Sequence, residues 1–177
     1  MILMHSIFMV SWVIGSNMVI FDFNKESDIS DWKIVNDVVM GGQSRSKFYL
    51  NDEGLGVFKG TVSLENNGGF SSVRFRFNQK NIEGYKKVKL RLKGDGKRYQ
   101  FRAKTNKEDQ QAYISYFETS EEWQTIEILL SDLSPTFRGR KLNMPNFPAE
   151  ELEEVAFMIG NKVNENFELV IDKIVLE

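Results

Sequence analysis

Alternation of apolar and polar side chains constrains this chain more than any other feature of its sequence. In Ser72-Val73-Arg74-Phe75-Arg76-Phe77, successive side chains must point to opposite faces of an extended backbone. Val88, Leu90 and Leu92 alternate with Lys89, Arg91 and Lys93, and Tyr99, Phe101 and Ala103 with Gln100, Arg102 and Lys104. Strands with one dry and one wet face belong to antiparallel sheets. Helical periodicity is almost absent, so the expected fold is all-β, an antiparallel β-sandwich with very little helix. With 177 residues the chain is long enough to bury a core as one domain.

Strands are predicted at Val19–Phe23, Arg45–Leu50, Gly56–Ser63, Phe70–Phe77, Lys86–Lys93, Tyr99–Lys104, Ala112–Glu118, Gln124–Leu129, Glu154–Ile159 and Phe167–Leu176. Asn51-Asp52-Glu53-Gly54 and Lys93-Gly94-Asp95-Gly96 read as hairpin turns, the second with the Asp-Gly preference of a tight primed turn. Short helical pieces are expected at Ser131–Leu133 and Ala149–Glu153. All 3 prolines lie between Pro135 and Pro148, in what reads as the longest stretch without strand.

Two loops stand out. Trp32-Lys33-Ile34-Val35-Asn36-Asp37-Val38-Val39-Met40-Gly41-Gly42-Gln43-Ser44 and Glu65-Asn66-Asn67-Gly68-Gly69-Phe70-Ser71-Ser72-Val73-Arg74 each couple a glycine pair to Asn, an acid and Ser. Such residues either tie a tight loop through side-chain-to-backbone bonds or hold a ligand or partner near an accessible backbone. On the binding reading the candidates are Asn36, Asp37, Met40, Gly41, Gly42 and Ser44 with Asn66, Gly68, Gly69, Phe70 and Ser72. Trp32 is expected as a core or rim anchor.

These two segments, with Gly94-Asp95-Gly96-Lys97-x-Tyr99 and Phe137-Arg138-Gly139-Arg140, resemble the signature of the complex I intermediate-associated protein 30 family. The resemblance runs in order from about Phe21 to the C-terminus. It implies a galactose-binding-like jelly roll. It also implies an assembly factor that binds protein, holding immature subunits of a respiratory NADH dehydrogenase without turnover. The fold likeness invites a carbohydrate-binding module as the alternative.

Net charge is −2, which implies neither nucleic acid nor acidic lipid as partner. Between Ser72 and Lys104, however, 12 Lys and Arg face 2 acids, a local +10 that leaves −12 for the rest. Arg74, Arg76, Arg91 and Arg102 occupy polar positions of three predicted strands. Should those strands be neighbours, the guanidiniums would form a site for an anionic ligand or an acidic partner. The competing expectation is cross-strand pairing with carboxylates such as Glu65, Glu118 or Glu127. Phe137, Arg138 and Arg140 read either as an exposed partner handle or as a loop anchor.

The chain contains no cysteine, and its one histidine is His5. Thiolate nucleophiles, disulfides and histidine triads are thereby excluded. Asp37 with Glu65 is a conceivable acid–base pair, but no second acid sits in a strongly apolar context. Gly94-Asp95-Gly96 precedes no helix pattern and is no nucleotide loop. Glu150-Glu151-Leu152-Glu153-Glu154 lacks the oxygen-ligand spacing of a calcium loop and is expected as a solvated helix face or turn. The expectation is a non-enzyme with neither cofactor nor metal.

Residues 1–17 are expected as an apolar leader or an upstream extension of a start at Met18, and residues 18–177 as the sandwich domain. A start at Met18 favours a cytoplasmic protein. A signal peptide over residues 1–15 would mean export. Ser, Gly and Asn interrupt the run, so no stable membrane span is expected.

Overall fold

The computed structural model describes residues 17–177, without the side chains of Val39 and Met40; the expected leader over residues 1–17 falls almost wholly outside them. Among the described residues thirteen strands form two antiparallel sheets. One holds β3 (Arg45–Leu50), β4 (Gly56–Val62), β13 (Glu165–Leu176), β6 (Lys87–Lys93) and β9 (Gln124–Leu129) in that spatial order, with β1 (Met18–Asp22) also paired to β13. The other runs β11 (Arg140–Lys141), β10 (Ser134–Phe137), β8 (Ala112–Glu118), β7 (Arg98–Lys104), β12 (Glu151–Ile159), β5 (Ser71–Asn81), β2 (Trp32–Asn36). Among the described residues, helix is limited to 3-10 turns at Asp37–Met40, Glu65–Asn67 and Leu130–Asp132. The all-β expectation holds.

The core lies between the sheets and is built from the apolar half of each alternation. Val73, Val88, Leu90, Leu92, Tyr99, Phe101, Phe157, Leu169 and Ile171 are buried there. Burying such side chains contributes roughly 1.5–3 kcal/mol each, which sets the register of every strand. Trp32 is stacked between Phe48 of one sheet and Phe75 of the other, with ring centroids 4.9 and 5.0 Å away. It anchors the core where β2 meets the opposite layer.

Four expectations need correction. Gly94-Asp95-Gly96 is no hairpin turn, because β6 pairs with β13 and β9 while β7 pairs with β12 and β8. Asp95 is not among the residues with positive φ, which the type I′ turn favoured by Asp-Gly needs at both central positions. Its carboxylate instead accepts from Tyr99 Oη and from the Glu168 amide, both at 3.0 Å, fastening a crossover between layers.

The primed turn lies at Arg138-Gly139, where φ is +48° and +75°, so Ser134–Lys141 is a hairpin where no strand was expected. Trp32–Asn36 is likewise a strand, placed at the sheet edge by its pairing with β5. Ala149–Glu153 is not helical: Ala149 sits at φ +56° and β12 begins at Glu151. Its pairing with β5 and β7 overrides the helical leaning of a Glu-rich run.

Candidate functional site

The two glycine-pair loops meet, and Asp37 is what they meet around. Asp37 opens the 3-10 turn directly after β2, where the chain leaves one sheet for β3 of the other, and Gly68-Gly69 lies where it returns from β4 to β5. The Asp37 carboxylate is fully buried. It accepts the amides of Gly69 at 2.6 Å, Ser44 at 3.0 Å and Phe70 at 3.2 Å, and the Ser44 hydroxyl. Burial alone pushes its pKa up, but these bonds outweigh burial and hold the carboxyl below its ordinary value.

Glycine is required on both sides of that carboxylate. A Cβ on Gly68 would lie 2.6 Å from Asp37 Oδ2, and one on Gly42 would collide with the same side chain. Beside it, Asn36 Oδ1 is 2.9 Å from Ser46 Oγ and 2.6 Å from Ser71 Oγ, joining β2, β3 and β5. Gly41, at φ +92°, ends the 3-10 turn, and Asn66, at φ +54°, turns the second loop. The Ser72 hydroxyl donates to the Val35 carbonyl at 2.8 Å.

The loops are therefore a tie between layers, with Asp37 committed to four donors and Glu65 exposed on the surface. Met40 closes the turn, and its side chain is outside those described.

The arginines divide between the two sheets. Arg91 is on β6, where its Nε lies 3.3 Å from Asp172 and its guanidinium covers the Trp123 ring at 5.4 Å. Its neighbours on that face are also matched: Lys87 with Glu127 at 2.9 Å, Lys89 with Glu177 at 2.6 Å. These contacts raise both lysine pKa values, through Glu127 first for Lys87 and Glu177 first for Lys89. Lys87, Lys89 and Arg91 of β6 are thus each paired with a carboxylate.

The seven-stranded sheet is different. Register places Arg74 of β5 and Arg102 of β7 on either side of Ala156 of β12, with Arg76 and Lys104 flanking Glu154 one row along. Four cations share one carboxylate. Glu154, only 3% exposed, is held by Arg76 Nε at 2.7 Å. Among the described residues no carboxylate pairs with Arg74 or Arg102.

Burial lowers the pKa of Arg74 despite Glu154, and Arg76 adds to the depression. Arg102 is pushed down to about 10, by burial first and the Arg74 charge second. Lys104 is also lowered, chiefly by burial, and its Nζ donates to backbone carbonyls of the loop after β7. A cluster desolvated in this way attracts an anion.

A cleft of about 210 Å³ opens beside Arg102. Gln100, 6% exposed, accepts from Arg102 Nη1 at 2.7 Å and donates to Tyr116 Oη at 3.3 Å. Tyr116 is 51% exposed, with the Arg98 guanidinium 4.6 Å over its ring. Gly139 and Lys141 of the β10–β11 hairpin form the far wall, and no acid lines the cleft. Phe137 carries the Arg138 guanidinium 5.3 Å from its ring, and Arg140 is exposed.

A larger groove of about 700 Å³ lies on the six-stranded sheet, where Lys59 is engaged with Glu168 at 2.6 Å and Thr61 with Asn166 at 2.7 Å.

Sequence reasoning passed over Gln100, Tyr116, Lys104 and Glu154 as site residues. Gln100 and Lys104 were visible as the polar partners of Arg102 in its alternation. Glu154 was hidden in an acidic run whose strand forms only by long-range pairing.

Comparison with known proteins accords with this architecture. A family model described as complex I intermediate-associated protein 30 matches residues 21–171. No curated protein matches the sequence. Among solved structures, the family 11 carbohydrate-binding module of the cellulosomal cellulase Lic26A-Cel5E of Clostridium thermocellum superposes with a TM-score of 0.66 at 15% identity. That match covers 91% of this chain and 94% of that one. The family 11 module in complex with a β-1,3-1,4-mixed-linked tetrasaccharide gives 0.60 at 15% identity, over 86% and 92%. An agarase gives 0.61 at 11% identity, over 91% of this chain and 24% of the agarase. At these identities the likeness concerns the fold alone.

Proposed function

The chain belongs to the complex I intermediate-associated protein 30 family, and on that premise we propose that it is a non-enzymatic binding protein. It holds subunits of a respiratory NADH dehydrogenase on the outer face of its seven-stranded sheet. The observation that carries this reading is the group of Arg74, Arg76, Arg102 and Lys104 around a single carboxylate, Glu154. A rigid sheet with surplus positive charge suits the steering and retention of an acidic protein surface. The absence of cysteine and the placement of the one histidine at His5 fit binding without turnover.

The test is affinity purification of the tagged chain from its native organism, with mass spectrometry of what co-elutes. Dehydrogenase subunits are expected with the wild type and depleted with Arg74→Ala/Arg102→Ala. Their absence from the wild-type eluate refutes the reading.

One observation favours a second reading, a carbohydrate-binding module. The half-exposed Tyr116 ring offers a stacking surface on a fold shared with modules of that kind. Titration with a panel of neutral glycans decides it: binding at millimolar concentration or tighter puts this reading first.

A further inference from the structure

Arg102 is more deeply desolvated than a surface arginine, yet the group that orients it is the neutral Gln100 amide, 2.7 Å from its Nη1, with the Met158 sulfur at 3.6 Å. Buried charges are ordinarily neutralised by a partner of opposite sign. Here the nearest carboxylate, Glu154, is taken by Arg76. The small side chain of Ala156 separates Arg102 from Arg74, whose strand is two positions away, about 10 Å at the backbone. The cleft floor is thus cationic, its walls are Tyr116 and the hairpin tip, and the cation on its rim is Lys141. Its volume of about 210 Å³ is below the 300–1,000 Å³ of ordinary small-ligand pockets, a fit for one side chain rather than a run of sugar rings.

We propose that this cleft is a carboxylate-binding subsite for an acidic side chain on an extended segment of the partner protein, paired with Arg102 and packed against Tyr116. The inference rests on the reading of the partner as a protein, and it names the chemistry of the contact. Gln100 is the positioning residue: by accepting from Nη1 it turns the remaining N–H groups of the fork toward the ligand's two oxygens. The planar guanidinium makes Lys a poor substitute.

The test uses the full chain and fluorescence anisotropy with a labelled octaglutamate peptide. Octaglutamine of the same length and an octagalacturonate serve as comparison probes, in low salt and at about 150 mM NaCl. Octaglutamate is expected to bind and octaglutamine not. Arg102→Ala and Arg102→Lys should each weaken octaglutamate binding by about tenfold or more, and Tyr116→Ala by a smaller factor. Arg91→Ala, on the opposite sheet, should leave it unchanged, and circular dichroism confirms that each variant is folded.

Absence of octaglutamate binding overturns the proposal. So does equal weakening by Arg91→Ala, which would mean diffuse charge, or tighter binding of octagalacturonate, which would mean a saccharide site. If Arg102→Ala loses the peptide but still captures dehydrogenase subunits, the cleft is not the partner's subsite. If the wild type binds octaglutamate but captures no subunit, the subsite stands and the proposed function falls.

Discussion

The Asp37 carboxylate accepts the Gly69 amide at 2.6 Å, across 32 residues, joining the β2–β3 and β4–β5 crossovers between the sheets. The contact makes one structural unit of two loops that are separate in the sequence. It also explains one glycine of each pair: a side chain at Gly42 or Gly68 would occupy the space of the carboxylate.

Acid should weaken this tie in a definite direction. Burial raises the Asp37 pKa, and the bonds from Ser44, Gly69 and Phe70 overcome it, so the folded value lies below the unfolded one. The stabilisation is then present above the unfolded value of about 3.9 and lost as pH falls through the folded value. Urea unfolding between pH 6 and 2 should show a steeper loss for the wild type than for Asp37→Asn. Parallel pH profiles contradict the assignment.

Gly68 has φ −69°, which any residue adopts, so alanine there is opposed by contact alone. Gly68→Ala should destabilise by about 2 kcal/mol through overlap with Asp37 Oδ2 and the Ser63 carbonyl. In an Asp37→Ala background the cost should fall by about 1 kcal/mol. A double-mutant cycle by urea denaturation measures the coupling, and additive costs would remove Asp37 as the obstacle.

On the proposed binding role, Arg102 carries a cost in stability. Replacing it with methionine removes a desolvated charge that no carboxylate among the described residues pairs with, and keeps its bulk. Arg102→Met should leave Tm unchanged or raise it by a few degrees, about 1 kcal/mol, while abolishing octaglutamate binding. A fall in Tm beyond about 4 °C would show that the guanidinium serves the fold.

Trp32 acts through its ring faces. Its indole Nε1 is buried without a hydrogen-bond partner among the described residues, while Phe48 and Phe75 stack on either side. Trp32→Phe should cost less than about 1.5 kcal/mol, and Trp32→Ala about 3–5 kcal/mol. Equilibrium unfolding followed by circular dichroism separates the two. Equal losses would mean that the indole nitrogen matters after all.

Much of the architecture was legible in single segments. Val88-Lys89-Leu90-Arg91-Leu92 and Tyr99-Gln100-Phe101-Arg102-Ala103 announce strands with one wet face, and both are strands. Asn51-Asp52-Glu53-Gly54 announces the turn between β3 and β4, closed by Asn51 Oδ1 accepting from Leu55 at 2.8 Å. Trp32–Asn36 and Ser134–Phe137 were not legible as strands. They are short, and pairing with β5 and β8 makes them so.

The chain's own alternation determined that there would be wet and dry faces, and which residues share a face within each strand. Its glycine pairs determined where backbone had to pass close to something. Only the tertiary structure decided that Arg91 would find Asp172 and Trp123 on one layer, while Arg102 would find Gln100, Arg74 and an open cleft on the other. The two arginines have nearly the same local pattern. They differ because a side chain's environment across strands comes from long-range hydrogen-bonded neighbours, and a two-residue period carries no record of which strand will lie alongside.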